Sequence, residues 1–196
     1  MHFWSYVLNF SYSKVIKLFI IDQQSLFRQG IRSSLSQLRD IEVAGEADVG
    51  DQVLSIIESL PPDVVLLGVD AAPLNGLKLC RMIKQRVPSV SIIILSPEPG
   101  DEQVFQAIKA QASAYLSKTV AVEDLEETIR RCAYGEHPIN ESLSNRPKVA
   151  EQILQQFREL SEEREAVTFI SRSHLEKQKF STIWLKATSI SRSLTS

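Results

Sequence analysis

Few residues in this chain have the type and spacing for chemistry. The two cysteines, Cys80 and Cys132, make no CxxC pair and cannot build a disulfide framework. Both fall on patterned helical positions, where a thiol packs as a small apolar group. His2, His137 and His174 are far apart with no ligand spacing, so no metal is assigned. No nucleophile stands beside a base, which ranks an enzymatic reading last, and no catalytic residue is expected. What remains lies in four short stretches that each follow an apolar run: Ile21–Gln24, Leu67–Asp70, Leu95–Pro97 and Leu116–Thr119. They offer an acid (Asp22), an amide (Gln23), a hydroxyl (Ser96) and an ammonium (Lys118), with Gly68 among them. Brought together, Asp22 and Lys118 would form an ion pair.

The elements that must position these residues alternate. Val15–Ile21 (VIKLFII) is short, almost wholly apolar and β-branched, as expected of a strand covered on both faces. Ser25–Leu38 has apolar residues at helical spacing, Ile41–Ala47 reads as a second strand, and Asp51–Leu60 is a helix stopped by Pro61-Pro62. Then come strand Val64–Leu67, helix Gly76–Arg86, strand Ser91–Leu95, helix Asp101–Ala110, strand Ala114–Leu116 and helix Val122–Tyr134. Five β–α units in succession predict a doubly wound, five-stranded parallel sheet with helices on both faces. In such a sheet ligands gather outside the carboxyl ends of the strands, near the topological switch point. That is where the four stretches fall.

Composition bounds the rest. The 196 residues allow one domain and a remainder, or two small domains. With 43% hydrophobic and 23% charged residues the chain is globular, which excludes collagen-like and wholly disordered readings. A net charge of −2 is too balanced to announce nucleic acid or an acidic substrate. No run approaches a spanning helix, so no membrane partner is expected. The paucity of cysteine fits a reducing, cytoplasmic setting. Residues 1–14 read as an N-terminal extension, since the apolar run at Met1–Phe10 lacks a basic leader and a cleavage site. Residues 136–147 are polar, carry two prolines and read as a linker. Lys148–Leu160 is an amphipathic helix, and 171–196, mostly polar and without apolar period, reads as a disordered tail.

The order of elements and the strand-end residues resemble the receiver domain of two-component response regulators. The nearest group is the one with a LuxR-type helix-turn-helix output, the NarL/FixJ group. The resemblance rests on LFIIDQQSLFRQGIRSSL, PPDVVLLGVDAAPLNGLKL, IIILS and ASAYLSKTVAVEDLEETIRRCAYGE, within a domain spanning 15–135. It implies a flavodoxin-like fold. VAEQILQQFRELSEERE further resembles a linker helix and the opening of that output domain, placed at 148–170.

The resemblance also implies a chemistry, phosphoryl transfer to an aspartate at the end of the third strand. Mg²⁺ is held there by acids after the first strand, and a hydroxyl and a lysine meet the phosphoryl oxygens. Carried over, Asp22 matches the first acid, while Gln23 stands for the second and Gly68 stands at the phosphoacceptor position. Ser96 matches the switch hydroxyl, Lys118 the phosphate-contacting lysine, and Asn75-Gly76 the turn after the acceptor loop. Ala71-Ala72 replaces the usual Met-Pro. Glycine offers no carboxylate, and an amide carries no charge for a hard cation. The expectation is therefore no aspartyl phosphate, and weak or absent Mg²⁺ binding, by Asp22 if by anything. Asp70 is read as a solvated loop acid. The region from Asp101 to Tyr134, with Tyr115 on the fifth strand, matches a face that many receivers use to pair.

Two functions stay open. One is a response-regulator-like protein of phosphorelay signalling, working by protein–protein interaction in transcriptional control without phosphorylation. Its partners would be a histidine kinase, another regulator or a second copy. The other is a DNA-binding regulator with a truncated LuxR-type output. The segment 161–196 has six Lys and Arg against four acids, a weak electrostatic footprint. It does not resemble a recognition helix.

Overall fold

In the computed structural model, residues 14–50, 52–69, 74–98, 100–156 and 158 are described. The five apolar runs form one parallel sheet: β1 (Ile16–Ile21), β2 (Ile41–Ala47), β3 (Val64–Gly68), β4 (Ser91–Ser96) and β5 (Ala114–Ser117). Their spatial order is β2-β1-β3-β4-β5. The helices are α1 (Ser25–Leu35), α2 (Gln52–Ser59), α3 (Leu74–Arg86), α4 (Asp101–Lys109), α5 (Val122–Ala133) and the short α6 (Glu141–Ser144). This is the doubly wound flavodoxin-like fold that the alternation predicts.

Burial explains why the strands carry few polar residues. Leu18, Ile20, Val64, Leu66, Ile93 and Leu95 pack with Ile31 and Leu35 of α1 and Leu125, Ile129 and Cys132 of α5. The alternate strand residues Phe19, Ile21, Val65, Leu67, Ile92 and Ile94 are buried as well. Side chains alternate across a strand, so both sheet faces are covered. Order in the sheet reverses between β1 and β3, whose register pairs Ile21 with Leu67. The next residues, Asp22 and Gly68, therefore face one another at the switch point.

Several boundaries differ from the sequence expectation. The first helix ends at Leu35 because the last turn tightens: the Ser36 and Leu38 amides donate to Ser33 and Leu35, three residues back. Asn75 and Gly76, expected in a turn, lie in the first turn of α3. The stretch 136–147, expected as a linker, contains the 3-10 helix Pro138–Asn140, with Ile139 buried, and α6. Its apolar residues are too few to make a period, yet Ile139 is held by packing.

The chain divides into two compact units, 1–150 and 151–196. In the first, residues 147–150 are helical; in the second, 151–156 and 158 are helical, as expected for that segment. The N-terminal extension to residue 13, most of the output remnant and the tail expected at 171–196 lie outside the described residues. Among the described residues no helix is long and apolar enough to cross a membrane.

Candidate functional site

Asp22 follows β1 and is almost wholly buried, at 1% exposure. A carboxylate so placed needs compensation for its lost hydration, and it receives it on both oxygens. The Gln24 backbone N–H donates to Oδ1 at 2.7 Å. The Lys118 ammonium meets Oδ2 at 2.8 Å, its own side chain only 9% exposed. That ammonium also lies 4.7 Å from the centroid of the Phe27 ring on α1, a cation–π contact. The Arg28 guanidinium donates to the Asp22 main-chain oxygen. The Asp22 amide is tied to the Ala47 carbonyl at 3.2 Å. The carboxylate is thus held by the Gln24 amide and by Lys118 from the loop after β5, and the Asp22 main chain by β2 and α1.

Gly68 ends β3 directly beside it. A Cβ built on Gly68 would lie 1.7 Å from Asp22 Oδ2 and 2.5 Å from its Cγ. The carboxylate of Asp22 occupies the space in which a side chain at position 68 would begin. Glycine is required by close approach: no other residue fits while Asp22 is paired to Lys118.

The remaining expected residues divide. The Ser96 carbonyl accepts from the Lys118 backbone N–H at 2.8 Å, and the Ser96 side chain is buried. Gln23 is exposed and makes no part of the carboxylate's shell. Tyr115 is buried, its hydroxyl near Ser96 but without a hydrogen bond of normal geometry among the described residues. Burial pushes its phenol upward, against smaller opposing effects from the Ser96 hydroxyl and the Arg146 guanidinium. Asp70, Ala71 and Ala72 lie outside the described residues. Sequence reading missed the roles of Phe27 and Arg28, and included Gln24 only as the end of its stretch. An aromatic and a base one turn into α1 gave a weak signal, while a main-chain amide gives none.

The donor set decides what the arrangement can bind. A hard divalent cation takes several oxygens, preferably anionic. Among the described residues one carboxylate is available here, with Oδ1 hydrogen-bonded to the Gln24 amide and Oδ2 ion-paired with Lys118. Among the described residues no cluster of three or more His, Cys, Asp or Glu could hold a metal. The site suits an internal ion pair better than Mg²⁺. The two thiols lie elsewhere and are buried, each pushed up to about 12 by desolvation.

Fold and site define a doubly wound parallel α/β protein with an acid and a lysine meeting at the switch point. Residues 18–130 match the response regulator receiver domain, and the chain belongs to that family. Among curated proteins it is 30% identical over 150 residues to the transcriptional regulatory protein DegU of Brevibacillus brevis, covering 76% of this chain and 61% of that one. It is 33% identical over 127 residues to the nitrate/nitrite response regulator protein NarL of Escherichia coli, covering 65% and 59%. The chain thus spans about 60% of the length of these relatives. Among solved structures, the signal receiver domain of the NarL of Mycobacterium tuberculosis superposes with a TM-score of 0.58 at 25% identity, covering 63% of this chain and 99% of that one.

Proposed function

We propose that this chain is a receiver-type signalling module whose state is set by contact with other proteins and not by an aspartyl phosphate. The observation that carries the reading is the filled space at Gly68. Position 68 is where the family resemblance puts the phosphoacceptor; it has no carboxylate, and the volume for one is taken by Asp22. In this reading Asp22 and Lys118 are a structural pair, Gln23 and Ser96 are remnants of a former phosphorylation pocket, and Tyr115 belongs to the pairing face that the resemblance implies. A histidine kinase, another regulator or a second copy is the partner, in transcriptional control. No enzymatic activity is assigned, and the cytoplasm is the proposed setting. The test is incubation of the full chain with a small phosphodonor and Mg²⁺, read by intact mass. No mass gain is expected; a stoichiometric phosphoryl adduct on an aspartate overturns the reading.

A second reading is favoured by the relative named as a transcriptional regulatory protein. In it the chain binds DNA through residues beyond 150. A mobility-shift assay with the full chain separates the two: a sequence-dependent shift, weakening with salt, puts DNA binding first.

A further inference from the structure

An edge strand leaves one row of backbone groups without a neighbouring strand. β2 is such an edge: among the described residues it pairs with β1 alone. Main-chain groups turn alternately to the two sides of a strand. The Asp40 and Ala47 carbonyls accept from the Ile16 and Asp22 amides and so face β1. Val43, three residues after Asp40, and Glu46, one before Ala47, therefore turn their amides outward. Beside this edge α2 presents an apolar flank. Its Val53 and Ile57 are buried, and Glu58 reaches Arg86 of α3 at 3.1 Å. At about 100° per residue, Ile56 and Leu60 stand roughly opposite Glu58, on the flank turned from α3 toward β2. Both are exposed.

The described chain starts at Lys14, at the foot of β1, with its ammonium on Asp63. Ahead of it the sequence alternates. Trp4, Tyr6, Leu8, Phe10 and Tyr12 are large and apolar or aromatic, and the residues between them are polar but for Val7. Period two over nine residues is the pattern of a strand with one covered face. Residues 1–13 include no acid, so they can lie beside Glu42 and Glu46 of β2 without like-charge repulsion. Those two carboxylates, and the extra residue between Val43 and Gly45, guard the edge against strands from elsewhere.

We propose that the occupant of the β2 edge is the chain's own residues 4–12, added as a strand antiparallel to β2, with the even-numbered side chains laid on Ile56 and Leu60. Reach and direction fit this edge. From β1 to a strand outside β2 is two strand spacings, about 10 Å. The four chain steps from Tyr12 to Ile16 span up to about 13 Å. The segment ends at the foot of β1, so it runs against the direction of β2. The β5 edge does not fit: a strand outside it stands four spacings from β1, about 19 Å, and the 3-10 helix Pro138–Asn140 lies against β5. A short tether also gives the segment a high effective concentration at β2, which a free strand lacks. The edge is thereby closed from within the chain.

Amide exchange of the full chain tests this, read at Val43 and Glu46 against Leu66 and Ile93 in the central strands. In the unaltered chain Val43 and Glu46 should exchange about 10-fold or more below their intrinsic rates. Leu8→Pro removes a donor and stiffens the middle of the segment. It should quicken both amides by about 5-fold or more, with Leu66 and Ile93 unchanged. Ile56→Asp sets a charge under the apolar face and should quicken both by about 3- to 10-fold. Ser11→Lys, on the polar face, should leave them within about 2-fold. Four results overturn the proposal: Val43 and Glu46 at intrinsic rates in the unaltered chain, protection that survives Leu8→Pro, equal effects of Ile56→Asp and Ser11→Lys, or protection that rises with protein concentration, which marks a second copy's segment on the edge. If Leu66 and Ile93 also lose protection in Leu8→Pro, the Leu8→Ser, Phe10→Ser double variant decides by the same readings.

Discussion

Replacing Gly68 with alanine adds one methyl group, and the site has no room for it. The new carbon would lie 1.7 Å from Asp22 Oδ2, far inside van der Waals contact, so the carboxylate must rotate away. Moving it takes Oδ2 from the Lys118 ammonium, 2.8 Å distant, with both side chains buried. Overpacking costs about 1–3 kcal/mol, and disrupting a buried pair costs up to about 3–5 kcal/mol. A glycine-to-alanine change in a strand otherwise gains up to about 1 kcal/mol from backbone entropy. The net expectation is a loss of about 2–5 kcal/mol. Urea unfolding followed by circular dichroism should show the midpoint lowered by about 1–2 M. The decisive measurement is the same change in an Asp22→Ala background. There the nearest surviving contact is to the residue-22 Cβ, at 3.1 Å, and Gly68→Ala should cost less than about 1 kcal/mol. Equal costs in the two backgrounds would refute the steric argument.

Lys118→Met leaves the Asp22 carboxylate buried against the Gln24 amide and should cost about 3–5 kcal/mol in urea unfolding, with part regained on adding Asp22→Asn. Calorimetric titration with Mg²⁺ should reveal no site tighter than the millimolar order. The Arg130 guanidinium, chiefly by its hydrogen bonds at 2.7 and 3.3 Å, holds the Asp40 carboxyl below its ordinary value. The stability this lends is present above the unfolded pKa and is lost as pH falls through the folded one. Asp40→Asn should remove that acid-limb contribution, at most about 1 kcal/mol for a pair a third exposed. Glu141 is likewise lowered, by its hydrogen bond to Arg131, so the protection of the Ile139 amide, taken relative to its intrinsic exchange rate at each pH, should fall as pH drops through the folded Glu141 pKa.

The sheet was legible because its strands are covered on both faces: VIKLFII and SIIIL admit few other structures. The site's location followed, since Asp22 and Lys118 stand directly after a strand and Ser96 ends one. The Asp22–Lys118 ion pair was legible too, but the crowding of Gly68 by the Asp22 carboxylate was not. Its place in the space beside Gly68 depends on the β1–β3 register and on a side-chain rotation that no linear pattern encodes. The packing of residues 136–150 escaped for another reason. It rests on Ile139, Val149 and the reach of Arg131 and Arg146, with no 2- or 3.6-residue repeat to mark it.

The two thiols supply a clock that needs no label to be engineered. Cys132 belongs to the core cluster shared with α1 and α5, while Cys80, on α3, points its sulfur at the Ala110 carbonyl, 3.4 Å away. Only a thiolate reacts with alkylating reagents, and neither is formed in place at neutral pH. Each sulfur therefore records the moments when its own part of the fold opens. If the domain unfolds as one body, alkylation traps both residues at one rate. If α3 detaches before α5, Cys80 is trapped first, and a mass spectrum of singly modified protein dates the order of events.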